Sequence, residues 1–304
     1  MEKPRLLVIS PHPDDESFYF GGTLIKYAPL AQIYLLFLTR GEKGKLSLSK
    51  GERIITTTTE PETLAELRTK EALIATNILG IPEEQVIFER LPDSGINEKA
   101  ISVIALSIIR INPHLIISFD EAGTTRPSNT DHSWSGIATF AAIKLILERD
   151  RGNLAFRRWL TYNLPQPERF LSEYAAFQIP PEELIAVDVT EVIPRKLEAC
   201  QQYRTQSHLF QYFYSVGLLS LPVEYFRERI SRTGTDKILF ELNNPPKKIT
   251  FTTSFPDSEE IFSSTDPNFY QKILINYQIT LEEVTRLMDP CRHGEESGFL
   301  SLSQ

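Results

Sequence analysis

Short runs of β-branched and aliphatic residues alternate with longer stretches of helical spacing over the first two thirds of this 304-residue chain, and that alternation restricts its fold more than any other feature. The strand candidates are Arg5–Ser10, Gln32–Thr39, Val86–Leu91, His114–Phe119, Trp159–Leu164 and Leu184–Val189. Their near-continuous Ile, Leu, Val and Phe suits strands covered on both faces. The segments between them are too long for hairpins. Residues 61–79 place Leu64, Leu67, Glu71, Ile74 and Ile78 at spacings of three and four, with Gly80 as the stop. Residues 98–110 and 133–149, and less regularly 190–204, also carry a helical period. Strand, crossover helix, strand is the signature of a parallel sheet. The expected fold is α/β, a layered, Rossmann-like, mostly parallel sheet flanked by helices.

Past residue 207 the pattern changes, and the reading divides the chain into 1–207 and a C-terminal α+β extension, 208–304. Phe210, Tyr212, Phe213 and Tyr214 form an aromatic cluster, Val223–Ile230 reads as helix, and Lys248–Phe255 alternates as a strand does. Asp266-Pro267 and Thr280-Leu281-Glu282-Glu283 resemble helix starts. No chemistry is legible there. The residues beyond Arg232 suit a cap over the site, a homo-oligomer contact or a dock for a partner.

The net charge of −8 argues against nucleic acid or an anionic membrane as a general partner, because phosphates call for a basic surface. Cys200 and Cys291 supply no disulfide framework and no CxxC metal knuckle. No apolar run approaches the ~20 residues of a transmembrane span, and the N-terminal run is too short for a signal peptide. A cytoplasmic location is expected.

In open α/β sheets the ligand crevice lies beyond the carboxyl ends of the strands, and charged residues gather there. The first strand runs into Pro11-His12-Pro13-Asp14-Asp15-Glu16, and the fourth candidate strand ends at Asp120 before a loop reaching Asp131-His132. Three adjacent acids repel one another unless a cation or a helix N-terminus offsets them. Capping alone accounts for either segment taken singly, but not as well for the pair. Of the five histidines, 12, 114, 132, 208 and 293, only 12 and 132 follow a core strand with acids beside them. Imidazole and carboxylate donors suit an open zinc site of three protein ligands plus water. Gly21-Gly22 falls inside a helix among acids, which argues against a phosphate loop.

Pro11-His12-Pro13-Asp14-Asp15-Glu16 followed by Gly21-Gly22-Thr23 resembles the signature of the PIG-L/LmbE family of zinc-dependent N-acetylglucosaminyl de-N-acetylases. Further matches follow in order: Leu38–Gly44, Arg68 with Glu71, Asp93, Asp131-His132, and the stretch from Lys196 to Gln206. The resemblance implies that His12, Asp15 and His132 bind Zn²⁺, although Fe²⁺ accepts the same ligands. It implies Asp14 as general base and then acid, Arg68 and Asp93 as contacts to sugar hydroxyls, and Glu42 on the substrate side. For Arg68 a surface ion pair with Glu71 is the plainer alternative, and for Asp93 turn capping. Asn129 stands where the family carries a histidine that Asp131 would orient to steady the oxyanion; an amide still donates a hydrogen bond there, without charge. The implied reaction is removal of an N-acetyl group from an N-acetylglucosamine-type amino sugar or conjugate. The alternatives are an amidase on a different conjugate, and a non-catalytic metal- or sugar-binding protein weakened by Asn129.

Overall fold

A computed structural model describes residues 2–50, 53–120, 130–149, 154–163, 184–215 and 217–231. The strand expected over Lys248–Phe255 and the two helices expected from Asp266 and from Thr280 lie outside these residues, and so does Asn129. The described elements are β1 (Arg5–Ser10), α1 (Asp15–Tyr27), β2 (Gln32–Phe37), β3 (Leu46–Lys50), β4 (Arg53–Thr57), α2 (Pro61–Leu79), β5 (Val86–Phe88), α3 (Lys99–Ile111), β6 (Leu115–Phe119), α4 (Thr130–Arg149), β7 (Arg158–Asn163), β8 (Leu184–Asp188), α5 (Ile193–Cys200), α6 (Ser207–Ser215) and β9 (Val223–Ser231). Seven strands form one sheet in the order β5-β2-β1-β6-β7-β9-β8, and β3 and β4 form a separate antiparallel hairpin.

The five strands from β5 to β7 are mutually parallel, with β1 in register against β2 from Arg5↔Gln32 to Ser10↔Phe37 and against β6 from Leu6↔Leu115. Alternate residues of each strand serve opposite faces. Leu6, Val8, Leu35 and Phe37 join Phe18, Phe20 and Leu24 of α1, Ala75 and Leu79 of α2, and Ala199 of α5 on one side. Leu7, Ile9 and Leu36 join Ile101, Ile104 and Ile108 of α3 and Ala142 and Ile146 of α4 on the other. Each fully buried Leu, Ile or Phe contributes ~1.5–3 kcal/mol, which is why the strands read as continuous apolar runs. The expected α/β sandwich is what the structure shows.

Two readings are corrected. Val223–Ile230 is not helix: β9 lies antiparallel between β7 and β8, with the register slipping once at Trp159/Leu160. The sheet therefore takes a strand from beyond residue 207. The stretch 190–204 divides into a 3₁₀ turn at Thr190–Val192 and the eight-residue α5, where Pro194 presets the first helical turn. Among the described residues, no helix is long and apolar enough to cross a membrane.

Chain order sets the position of the site. From β1 the chain moves to β2 and β5 on one side, then returns to place β6 on the other. The carboxyl ends of β1 and β6 thus border the topological switch point, where a crevice opens because the connections diverge.

Candidate metal centre

The turn after β1 leads straight into α1, and its acids are buried: Asp14, Asp15 and Glu16 are 4, 5 and 0% exposed. His132, in the first turn of α4, is buried at the neighbouring strand end, with Phe119 stacked on its ring at 4.3 Å between centroids. The Asp15 carboxylate lies 3.1 Å from Nδ1 of His12 and 3.1 Å from Nε2 of His132. One donor atom from each of His12, Asp15 and His132 falls within 4.8 Å of the others. Two imidazoles and one carboxylate converging from two strand ends fit a divalent ion held by three protein ligands. The predicted ligand set is therefore brought together.

The opposite edge of His12 carries its own partners. Its Nε2 is 3.2 Å from Oδ2 of Asp131 and 3.4 Å from Oδ1 of Asp93. With a ring proton on Nε2 donated to these two carboxylates, a metal-bound His12 would offer Nδ1 on the side of Asp15 and His132. Asp131 is fixed in turn, accepting from the backbone N–H of Ser94 (2.7 Å) and of Ile96 (3.1 Å). Orienting His12 is a contact the sequence reading did not assign to Asp131. Burial works against protonating His12, yet its bonds to Asp131, Asp15 and Asp93 hold its pKa well above the ordinary value. Burial also opposes ionising Asp15, and the charge of His132 with the bonds to both imidazoles outweighs it and holds the carboxyl far below the usual range.

Asp14 stands beside this triad without joining it. As the residue before α1 it has φ 126° and ψ −36°, a conformation that costs a non-glycine residue ~1–3 kcal/mol. Its N–H donates to Oε2 of Glu16 (3.0 Å), and its carbonyl accepts from the N–H groups of Ser17 and Phe18. Burial pushes its carboxyl pKa up to about 8, against the pull of Arg68 and with the push of Asp15. A carboxyl so placed can hold and release a proton near neutral pH.

Arg68, on α2, is 4% exposed and turns inward. Its guanidinium donates to Oδ2 of Asp14 (2.8 Å), to the Pro13 carbonyl (2.5 Å) and to the Gly41 carbonyl (2.9 Å). A Cβ at Gly41, whose φ is +66°, would meet that guanidinium at 2.0 Å, so this loop position needs glycine. Glu71 accepts from the N–H and hydroxyl of Thr205. The surface ion pair is thereby replaced by two separate inward anchors. Asp93 is equally occupied: Oδ2 accepts from Lys43 N–H at 2.7 Å, while its own N–H donates to Oε1 of Glu42 at 2.8 Å. Burial raises the pKa of Asp93, but its bond to His12 and the charge of His12 bring it down to about 2. Arg68 thus contacts Asp14, Asp93 contacts His12, and Glu42 anchors the Asp93 backbone.

Sequence reasoning missed Glu16 and Tyr203. Burial pushes the Glu16 carboxyl up to about 7 against its bonds from Ser17, Tyr203 and the Asp14 N–H. Glu16 lay inside the quoted motif; Tyr203, 187 residues away, carried no local signal.

The profile described as GlcNAc-PI de-N-acetylase (PIG-L) matches residues 7–143. A Bacillus anthracis protein named "Probable N-acetyl-alpha-D-glucosaminyl L-malate deacetylase 2" is 30% identical over 215 residues, covering 66% of this chain and 81% of the relative. Among solved structures, the N,N'-diacetylchitobiose deacetylase of Pyrococcus horikoshii aligns with TM-score 0.53 at 17% identity, over 74% of this chain and 84% of that one. The 4-carboxy-2-hydroxymuconate hydratase of Pseudomonas putida KT2440 aligns with TM-score 0.58 at 20% identity, over 77% and 99%. One fold thus carries both a deacetylase and a hydratase, so these structures speak to architecture alone.

Proposed function

The chain belongs to the PIG-L family of GlcNAc-PI de-N-acetylases, and from that premise we propose that it is a metal-dependent hydrolase removing the acetyl group from an N-acetylglucosamine-type amino sugar or conjugate. The observation that carries this reading is the convergence of His12, Asp15 and His132 with Asp14 beside them. His12 and His132 supply nitrogen and Asp15 oxygen, a set suited to Zn²⁺ and acceptable to Fe²⁺. When bound, the ion supplies Lewis-acid chemistry, polarising the amide carbonyl and acidifying water.

The chain's own residues do the rest. Asp131 keeps the His12 ring turned toward the ion. Among the described residues, Asp14 engages Arg68 through Oδ2 and leaves Oδ1 to take the proton of the attacking water. It then returns that proton to the leaving nitrogen, so acetate and a free amine depart. Arg68 holds Asp14 in place, and Asp93 and Glu42 line the approach. Asn129 is the side chain assigned to the oxyanion. A neutral amide in place of a charged donor costs on the order of a hundredfold in rate, so Asn129→His raises turnover.

The test is acetate release by metal-loaded protein from N-acetylglucosamine and from its malate and inositol glycosides. The reading expects one acetate per amine freed, stopped by a chelator and by Asp14→Asn. No acetate from any of the three by protein shown to carry its metal overturns it.

A further inference from the structure

Asp14 keeps a positive-φ backbone (φ 126°, ψ −36°) that few non-glycine residues adopt, and the structure shows what holds it there. On one side Arg68 grips the Pro13 carbonyl and the Asp14 carboxylate. On the other the Asp14 N–H is held by Oε2 of Glu16, a residue with no exposed surface. The second oxygen of Glu16 accepts from the hydroxyls of Tyr203 and Ser17, each at 2.5 Å. Tyr203, 1% exposed, follows α5, and its ring meets Phe18 edge-on with centroids 6.1 Å apart. Glu16 is not in the ligand triad, and neither it nor Tyr203 has a surface for substrate.

We infer that Glu16 and Tyr203 are positioning residues: a buried relay from the Tyr203 hydroxyl through the Glu16 carboxylate to the Asp14 N–H that fixes the strained turn and aims the Asp14 carboxyl at the reacting centre. The inference rests on Asp14 being the proton carrier proposed above. It separates the two acids flanking Asp15, one touching the reaction and the other setting its geometry. It also explains why a strand-end turn needs a partner drawn from the far end of the domain. Neighbouring residues alone leave Asp14 free to relax to an ordinary helix cap.

Tyr203→Phe keeps the ring against Phe18 and removes only the hydroxyl; Ser17→Ala removes the other donor to the same oxygen. Two readouts apply to both variants. Backbone amide exchange followed by NMR is expected to speed up at Asp14 by about tenfold while the interior of α1 is unchanged. Turnover per bound metal is expected to fall about tenfold with KM within about twofold, the cost of a misaimed group rather than of a lost contact. Unchanged exchange at Asp14 in both variants overturns the relay. Faster exchange with unchanged turnover overturns its positioning role. A wild-type protein that releases no acetate removes the reaction but not the relay, which the exchange readout then decides alone.

Discussion

Helix α1 carries two buried ionic clusters, one at its N-terminus and one along its middle, and their difference separates function from architecture. In the middle, Glu224 of β9 accepts from the N–H groups of Gly22 (2.9 Å) and Thr23 (2.8 Å) and from Nζ of Lys196 on α5 (2.8 Å). A Cβ at Gly22 would meet Val189 at 2.6 Å, so the helix can approach this closely only as glycine. One acid meets one base and two backbone donors, and the charges close among themselves. At the N-terminus, Asp15 faces two imidazoles at 3.1 Å each, and one ligand atom from each of His12, Asp15 and His132 lies within 4.8 Å of the others, a set of metal-ligand types. Both clusters are buried, so burial of charge distinguishes nothing. Convergence of like donors does.

Substitutions in each cluster are expected to separate the two roles. The largest effect is expected for Asp15→Ala, which removes the one anionic donor between His12 and His132. Losing several kcal/mol of charge stabilisation lowers turnover on the order of a thousandfold or more, measured as acetate release. Asp14→Asn follows, with turnover falling roughly 10²–10⁴-fold and metal content kept, because a general acid–base group is lost and no ligand is. A parallel fall in bound metal would move Asp14 into the ligand set.

On the structural side, Lys196→Met leaves Glu224 buried without its cation. Breaking a buried pair in this way costs about 3–5 kcal/mol, visible as a lower urea midpoint, with turnover per folded molecule unchanged. A loss of turnover without loss of stability would erase the distinction between the clusters. The smallest effect is expected for Asp131→Asn, which weakens the acceptor behind His12 and reduces metal affinity by about 10–100-fold in a competition titration with a chelator.

Much of this was legible in the sequence wherever the signal was local. Arg5–Ser10 is apolar because β1 is covered on both faces, and His12 to Glu16 follow it without interruption, so strand, turn and ligands are read as one string. His132 was found because the same logic applies at a second strand end. What escaped depends on partners far along the chain. Val223–Ser231 breaks the strand period because Glu224 faces inward to Lys196 and to the α1 backbone, so a buried acid looked like the polar face of a helix. The β3–β4 hairpin gives only a weak signal, with Leu46 and Leu48 alternating with serine and Thr56-Thr57 β-branched, because two strands outside the main sheet bury too little to read as core. The inward turn of Arg68 is set by the carbonyls of Gly41 and Pro13, which no helix period reports. Asn129 was singled out by its departure from a pattern, a signal that names a residue without giving its geometry.

If His12, Asp15 and His132 hold one catalytic divalent ion, removing one of the three ligands removes the ion. Metal content by mass spectrometry on the purified wild type beside His132→Ala tests it most directly. About one zinc or iron per wild-type chain is expected, with loss of that ion in the variant, whose fold is kept. A wild type that carries no such ion and fails to take up added zinc, or a His132→Ala protein that binds it as well as the wild type does, would contradict it.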